Sequence, residues 1–359
     1  MQKFIEKCKL TFNNIQGGDD IDYSKFPPED RISNSKLKLI NPKEDGSVEK
    51  FLKGWDNSYS DSLVLGTAIH ALFLEEKDHV LSDYTGKPSG KCGYFLDLLC
   101  KLRRRNKKLP KEERLSSQEL IQKAAEEADY YKSSFTRKRF LSTMKTGLDY
   151  YKKLYKGDFY GKEKKIIVLP ERLSESTKKC VASLKGNHVI RSLYKSDELE
   201  EKEILNEFPL FVEITVTMPN GDTAVVPFKG ILDSIVIDHY NKTIHLNDLK
   251  TTSQDIDYMM DQVLDDESFN GAFGKGHYYR QFAIYAFLLQ MYMDHVRLLS
   301  NYDIKCNIIA VETVGSHRAG IFPVNNAYIQ EGIKEFKELL VTVVYHKLYG
   351  YDRTIEENQ

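Results

Sequence analysis

Two aliphatic runs joined by a short polar turn, KGILDSIVID and TIHLNDLKTT at residues 229–238 and 243–252, constrain this chain more than any other segment. Alternating Ile, Val and Leu mark both as extended strands, and Tyr240-Asn241 centres the turn between them. A period of two puts Ile231, Asp233, Ile235 and Ile237 on one face of the first strand. The same period puts Ile244, Leu246, Asp248 and Lys250 on one face of the second. In that register Ile237 pairs with Ile244, Ile235 with Leu246, and Asp233 falls opposite Asp248. Opposed carboxylates among aliphatic neighbours repel each other unless one is protonated or a cation lies between them. Lys250 supplies one positive charge, and a hard divalent ion, Mg²⁺ or Mn²⁺, resolves the rest. The alternative is that both acids are solvated strand-end residues neutralised by Lys250.

Two helices carry further polar residues on defined faces. In SDSLVLGTAIHALFLEE, Leu65, Ile69, Leu72 and Phe73 recur at helical spacing, with Ser60 or Asp61 as cap and His70 near the apolar side. Gly66 lies one turn before His70, where a mid-helix glycine costs about 1 kcal/mol and leaves room beside the histidine. His70 is then either a ligand or a hydrogen-bonded core residue. No second histidine stands at i+4, which argues against a zinc HxxxH site. The second helix opens at Tyr278 and runs to about Val296; Gln281 and Tyr285, four apart, share a face, as packing residues or as polar tips aimed at one place.

The order GxxxH, KGxxD, DLKTT and QxxxY, over roughly residues 60 to 290, resembles the PD-(D/E)XK nuclease superfamily in its RecB and RecE-like exonuclease branch. The run RISNSKLKLINPKEDGSVEKFL is similar to the opening of phage exonucleases of the RecE type. The resemblance implies an α/β fold, with a mixed central sheet flanked by helices and a helical insertion. It implies that His70, Asp233, Asp248 and the backbone carbonyl of Leu249 bind Mg²⁺ or Mn²⁺, that Lys250 polarises water or stabilises phosphate charge, and that Gln281 and Tyr285 orient the lysine and substrate. Asp248 stands where many relatives have glutamate, and Glu213 is either an additional acid of the family or an ordinary exposed residue. Arg31, Ser33 and Ser35 are either a pocket for a terminal phosphate or simple helix-capping residues. The implied activity is metal-dependent hydrolysis of linear duplex DNA from its 5′ end, by a homo-oligomer, for recombination with a single-strand annealing protein. The competing readings are a structure-specific or restriction-type endonuclease, an RNA-cleaving nuclease, or a non-catalytic DNA-binding protein of the same fold.

Composition bounds these readings. At 359 residues and 41% hydrophobic, the chain can bury one large core or two small ones. No apolar run reaches membrane-spanning length and MQKFIEKCKL lacks the apolar stretch of a signal peptide, so a cytoplasmic protein is expected, within a bacterial host if phage-encoded. Cys8, Cys92, Cys100, Cys180 and Cys306 show no CxxC spacing, so neither a zinc knuckle nor an iron–sulfur cluster is expected. The net charge of −1 hides a basic segment: residues 101–165 hold 20 Lys and Arg against 9 Asp and Glu, or +11. Its densest part includes Arg103, Arg104 and Arg105, which suit a phosphate backbone or a solvated helix face.

The expected organisation is an N-terminal segment to residue 60, irregular but for a short helix from Lys36 capped by Ser33 or Asn34. A core over 61–324 follows, with three or four helices inserted at about 94–195, and a last helix from 325. Pro219-Asn220-Gly221-Asp222 marks a hairpin turn, and IKCNIIAVETV a later strand.

Overall fold

The structure, a computed structural model, describes residues 2–22, 25–54, 60–84, 86–88, 90–130, 137–156, 165–194, 202–257 and 276–351. It divides into two compact units, one of residues 1–60 with 182–359 and the other of residues 61–181. The division puts the histidine helix with the inserted helices, whereas composition alone began the insertion near residue 94.

The first unit is built on a six-stranded sheet. Its N-terminal part holds helix α1 (Gln2–Lys7), strand β1 (Lys9–Gly17) and helices α2 (Asn34–Lys38) and α3 (Val48–Lys53). This corrects the expectation of an irregular N terminus: β1 pairs antiparallel with β4 (Lys202–Thr217) and forms one edge of the sheet. Polar residues, a bulge between Asn13 and Gln16 and left-handed Asn14 (φ 52°) hide the strand from a periodicity reading. Ser33 caps α2 as expected, its hydroxyl accepting from the Lys36 N–H.

Strands β4, β5 (Thr223–Asp238) and β6 (Thr243–Thr252) form an antiparallel meander. The β4–β5 turn falls at Pro219-Asn220-Gly221-Asp222, where Gly221 has φ 93° and the Asn220 side chain accepts from the Asp222 N–H. Strand β7 (Asp303–Glu312) adds parallel to β6, and β8 (Ala319–Pro323) closes the other edge.

The core lies between one sheet face and the two long helices of this unit, named in chain order below. It contains Leu210, Val212, Ile214, Val226, Phe228, Ile244, Leu246, Ile308, Phe282, Leu288, Phe336 and Leu340. Burying each such side chain contributes about 1.5–3 kcal/mol.

The second unit contains α4 (Asp61–Leu74), β2 (His79–Tyr84), α5 (Gly90–Lys108), α6 (Ser117–Glu127), α7 (Arg137–Lys156), β3 (Lys165–Pro170) and most of α8 (Glu171–Gly186). Its core is Phe95, Leu96, Leu99, Leu120, Ala124, Tyr150 and Tyr151. Ser116 and Glu119 form a reciprocal capping box at the start of α6. The parallel pair β2–β3 was not expected, β3 falling in the stretch read as helices and β2 before it. Helix α9 (His188–Tyr194) then leads back to the large sheet. After β6 come α10 (Tyr278–His295), β7, β8 and α11 (Asn326–Tyr349). A Cβ at Gly332 of α11 would lie 2.5 Å from the Tyr279 carbonyl oxygen, so glycine there lets α11 approach α10 closely.

One irregularity sets up the functional region. Along β5 the core face is Val226, Phe228 and Leu232, then Ile235 and Ile237, so the alternation slips by one residue across Asp233. Along β4 it runs from Leu205 to Phe208, Leu210 and Val212, with the same slip across Glu207. Asn206 pairs with Ser234 and Phe208 with Leu232, so both slips fall at one level of the ladder. Glu207 absorbs the change with a left-handed backbone, φ 48°. Strict alternation had put Ile231 on a buried face with Asp233; the slip turns it out, and it is 51% exposed.

Candidate active site

The expected β5–β6 register is found, with Ile237 opposite Ile244 and Ile235 opposite Leu246. The ladder stops at Ser234–Asn247, so Asp233 and Asp248 are not a ladder pair. Beyond that point a side chain replaces the strand carbonyl: the Leu249 N–H donates to Asp233 Oδ2 at 2.8 Å. Asp233 is thereby fixed at the point where the two strands cease to pair.

Asp248 is 2% exposed. Gln281 Nε2, from the first turn of α10, donates to Asp248 Oδ1 at 2.7 Å. Lys250 Nζ approaches Gln281 Oε1 at 3.4 Å, so one amide holds the acid with its nitrogen and the lysine with its oxygen. The Lys250 ammonium forms a close ion pair with Asp248 Oδ2. The same ammonium lies 4.9 Å from the centroid of the Tyr278 ring. Burial alone would depress the Lys250 pKa, but Asp248 and then Asp233 outweigh it and hold it above the ordinary lysine value. Lys250 is therefore a cation near neutral pH.

Tyr285 lies one turn beyond Gln281. Burial, with Asp248 and Asp233 adding to it, raises its hydroxyl pKa above the ordinary tyrosine value, so it stays a neutral donor. A Cβ at Gly230 would sit 3.0 Å from Tyr285 Cε1, so the glycine of the KGxxD motif makes room for this ring.

Periodicity missed Glu207. A carboxylate oxygen of Glu207 lies within 4.8 Å of one of Asp233. Glu213, the additional acid considered from sequence, sits six residues along the same strand, opposite Pro227 and Asn13, about 20 Å away at strand rise. The available signal was an acid just before Phe208-Pro209, where the apolar alternation of the strand slips.

His70 is on α4 of the second unit and half-buried. Arg31 Nε donates to the Phe26 carbonyl at 2.9 Å, Ser33 is the α2 cap, and Ser35 is exposed. Arg103 bonds the Tyr151 hydroxyl and Arg104 the Leu154 carbonyl, so both serve the packing of α5 on α7. Arg105 is exposed.

Behind the site, a buried polar network fixes the start of α10. Arg280, 1% exposed, donates to Asn34 Oδ1 (2.9 Å), Glu335 Oε1 (2.7 Å) and Glu44. Asn41 Nδ2 donates to Glu335 Oε1 at 2.7 Å, and the Tyr279 hydroxyl donates to Glu335 Oε2. Burial would raise the Glu335 carboxyl, but His277, Tyr279 and Arg280 together hold its pKa down to about 2.

Glu207 lies beside Asp233, and Asp233 and Asp248 both act on the Lys250 ammonium, so carboxylates outnumber the cation here among the described residues. Hard oxygen donors in this excess fit a divalent ion such as Mg²⁺ or Mn²⁺.

No family model and no curated protein matches the sequence. Among solved structures the chain is similar to one from Eubacterium rectale described as a "Putative exonuclease", at 10% identity and TM-score 0.44, over 93% of this chain and 87% of that one. Likeness of that degree leaves the activity to be argued from the site's own residues. Among the described residues, no helix is long and apolar enough to cross a membrane.

Proposed function

We propose that the protein is a metal-dependent nuclease of the PD-(D/E)XK kind that hydrolyses phosphodiester bonds in DNA, acting on linear duplex ends. The observation that supports this most is the bridge made by Gln281 between Asp248 and Lys250, next to Asp233 at the end of the strand ladder. An acid and a lysine two residues apart are common on any strand. An amide that orients both, with further carboxylates beside them, suits a polyanionic transition state.

Asp233, Asp248 and Glu207 would hold the divalent ion, and His70 is kept as a ligand on the resemblance alone, as is the Leu249 carbonyl. When bound, such an ion relieves charge on phosphate oxygens and makes water acidic enough to attack at neutral pH. Lys250, paired with Asp248, would set its ammonium toward the nonbridging oxygens as a positive charge or polarise the attacking water. Gln281 holds that ammonium in place, and Tyr285 offers a neutral hydroxyl for a substrate oxygen. Burial and the neighbouring acids keep the Tyr285 hydroxyl protonated, which disfavours it as a nucleophile, and the reading has water as the attacking group. The 5′-to-3′ polarity, the homo-oligomer, the recombination role and the annealing partner follow from the resemblance.

The test is digestion of an end-labelled linear duplex with Mg²⁺ or Mn²⁺, by the parent protein beside Lys250→Ala, with a closed circular plasmid as second substrate. The expected result is metal-dependent loss of the linear duplex, an intact plasmid and an inactive variant. Cleavage that persists in EDTA, or in Lys250→Ala at the parent's rate, sinks the reading. Nicking of the plasmid would make the enzyme an endonuclease.

A further inference from the structure

The C-terminal half of α5 and the turn after it carry Lys101, Arg103, Arg104, Arg105, Lys107, Lys108, Lys111 and Arg114 against Glu112 and Glu113, a local charge of 8 − 2 = +6. The structure sorts these cations by use. Arg103 and Arg104 turn inward onto Tyr151 and Leu154. Arg114 folds back on the end of α5, its Nε donating to the Leu109 carbonyl at 2.8 Å and its Nη2 to the Lys107 carbonyl at 3.1 Å. Asn106 adds a reciprocal pair of bonds with the Leu115 backbone. The Lys107 and Leu109 carbonyls at the helix end thus already have a cation in Arg114, which is the ordinary reason for basic residues near a last turn.

Lys107 has an interaction of its own, and Lys101, Arg105, Lys108 and Lys111 remain. All four are exposed, and among the described residues none of them is ion-paired. Other lysines of this unit are paired: Lys91 with Asp129, Lys153 with Asp83 and Asp149, and Lys178 with Asp83. Lys101, Arg105 and Lys108 stand at i, i+4 and i+7, a single stripe of about 10 Å along the helix. That length covers about three nucleotide steps of duplex at ~3.4 Å each.

We infer that this stripe, with Lys111 at its end, is a sequence-independent anchor for the phosphate backbone of duplex DNA, carried by the second unit. Unpaired cations in line on one helix repel one another, and a row of phosphates removes that repulsion. The choice of DNA rests on the nuclease reading; the anchor itself needs no catalysis.

The experiment measures anisotropy of a fluorescein-labelled 30-base-pair duplex in EDTA between 50 and 200 mM KCl. It compares the parent, the stripe variant Lys101→Gln/Arg105→Gln/Lys108→Gln, and the control Lys91→Gln/Lys153→Gln/Lys178→Gln, which loses the same charge from paired positions. The expected result is that the slope of log affinity against log salt falls by about 2 to 3 in the stripe variant, at roughly 0.9 per phosphate contact, and stays near the parent's in the control. Equal slopes in the two triple variants, or an unchanged slope in the stripe variant, overturn the anchor. Metal-dependent cleavage by a parent whose stripe variant binds normally would sink the anchor and leave the nuclease standing. A parent that binds duplex through the stripe but cleaves nothing with Mg²⁺ or Mn²⁺ would do the reverse, and one that neither binds nor cleaves would end both.

Discussion

Arg280 donates to Glu335 Oε1 at 2.7 Å, both side chains being at most 2% exposed, and so ties the first turn of α10 to α11 one residue before Gln281. A buried pair stripped of one member costs about 3–5 kcal/mol, because the survivor stays desolvated. Glu335→Gln should therefore lower stability by about 3 kcal/mol. The pH dependence has a definite sign. With the Glu335 pKa held at about 2 against an ordinary 4.5, the stabilisation is full above pH 4.5 and is lost as pH falls toward 2. Urea titrations at pH 7 and pH 3.5 should show the parent losing more than the variant does on acidification; parallel losses would disprove the assignment.

Glu207 and Glu213 separate the acid the site uses from the one it does not. Glu207→Gln should weaken Mn²⁺ binding by about tenfold or more, the scale on which changes near a metal centre act. Glu213→Gln should leave it unchanged. Isothermal titration with Mn²⁺ decides the matter, and equal effects of the two substitutions would contradict the placement of Glu207 beside Asp233.

The contrast between these two glutamates shows what the sequence reveals and what it conceals. The β5–β6 hairpin was readable because two aliphatic periods converge on one turn, and α10 because Gln281 and Tyr285 sit one helical turn apart. Asp248 and Lys250 were placed on one strand face on that basis, and Gln281 beside them by the resemblance to PD-(D/E)XK nucleases; hydrogen bonds join the three. Glu207 was hidden because alternation presumes a regular strand, and the strand is irregular there: a left-handed residue shifts the pattern by one, and Ile231 is turned outward by the matching slip in β5. Edge strands failed for another reason. β1 has only Leu10 and Phe12 on its core face before the bulge, and β8 is five residues long, so neither offers enough apolar repeats to count. The Arg280 network joins residues 34, 41, 44, 280 and 335, and separations of that length leave no local signal.

Gly230 controls the position of Tyr285. Gly230→Ala places a methyl carbon 3.0 Å from Tyr285 Cε1, tighter than ordinary contact, so the ring must shift at a cost of about 1–3 kcal/mol. Cleavage should slow by about tenfold or more, since displacements near 1 Å cost rate steeply. If the effect runs through the Tyr285 hydroxyl, adding Gly230→Ala to Tyr285→Phe should cost little more than Tyr285→Phe alone. Single-turnover rates of the four proteins test this, and simple multiplication of the two losses would refute it.

Lys250 offers a case in which metal binding and rate should move in opposite directions. Removing the ammonium while keeping the stem, as in Lys250→Met, leaves Asp248 buried with Oδ2 facing no charge, at a cost of about 3–5 kcal/mol in EDTA. Asp248→Asn in that background should recover much of the loss, because the neutral amide no longer needs a counter-charge. With Asp248 intact, the variant presents three carboxylates and no cation, so Mn²⁺ should raise its melting temperature more than it raises the parent's. Cleavage should nevertheless fall by a hundredfold or more, since the fixed charge toward the phosphate is gone. A lysine that merely neutralised its neighbours would be replaceable by the ion, and the variant would regain activity as Mn²⁺ is added. A lysine that acts on the substrate cannot be replaced in this way, and the melting and rate measurements on one variant distinguish the two roles.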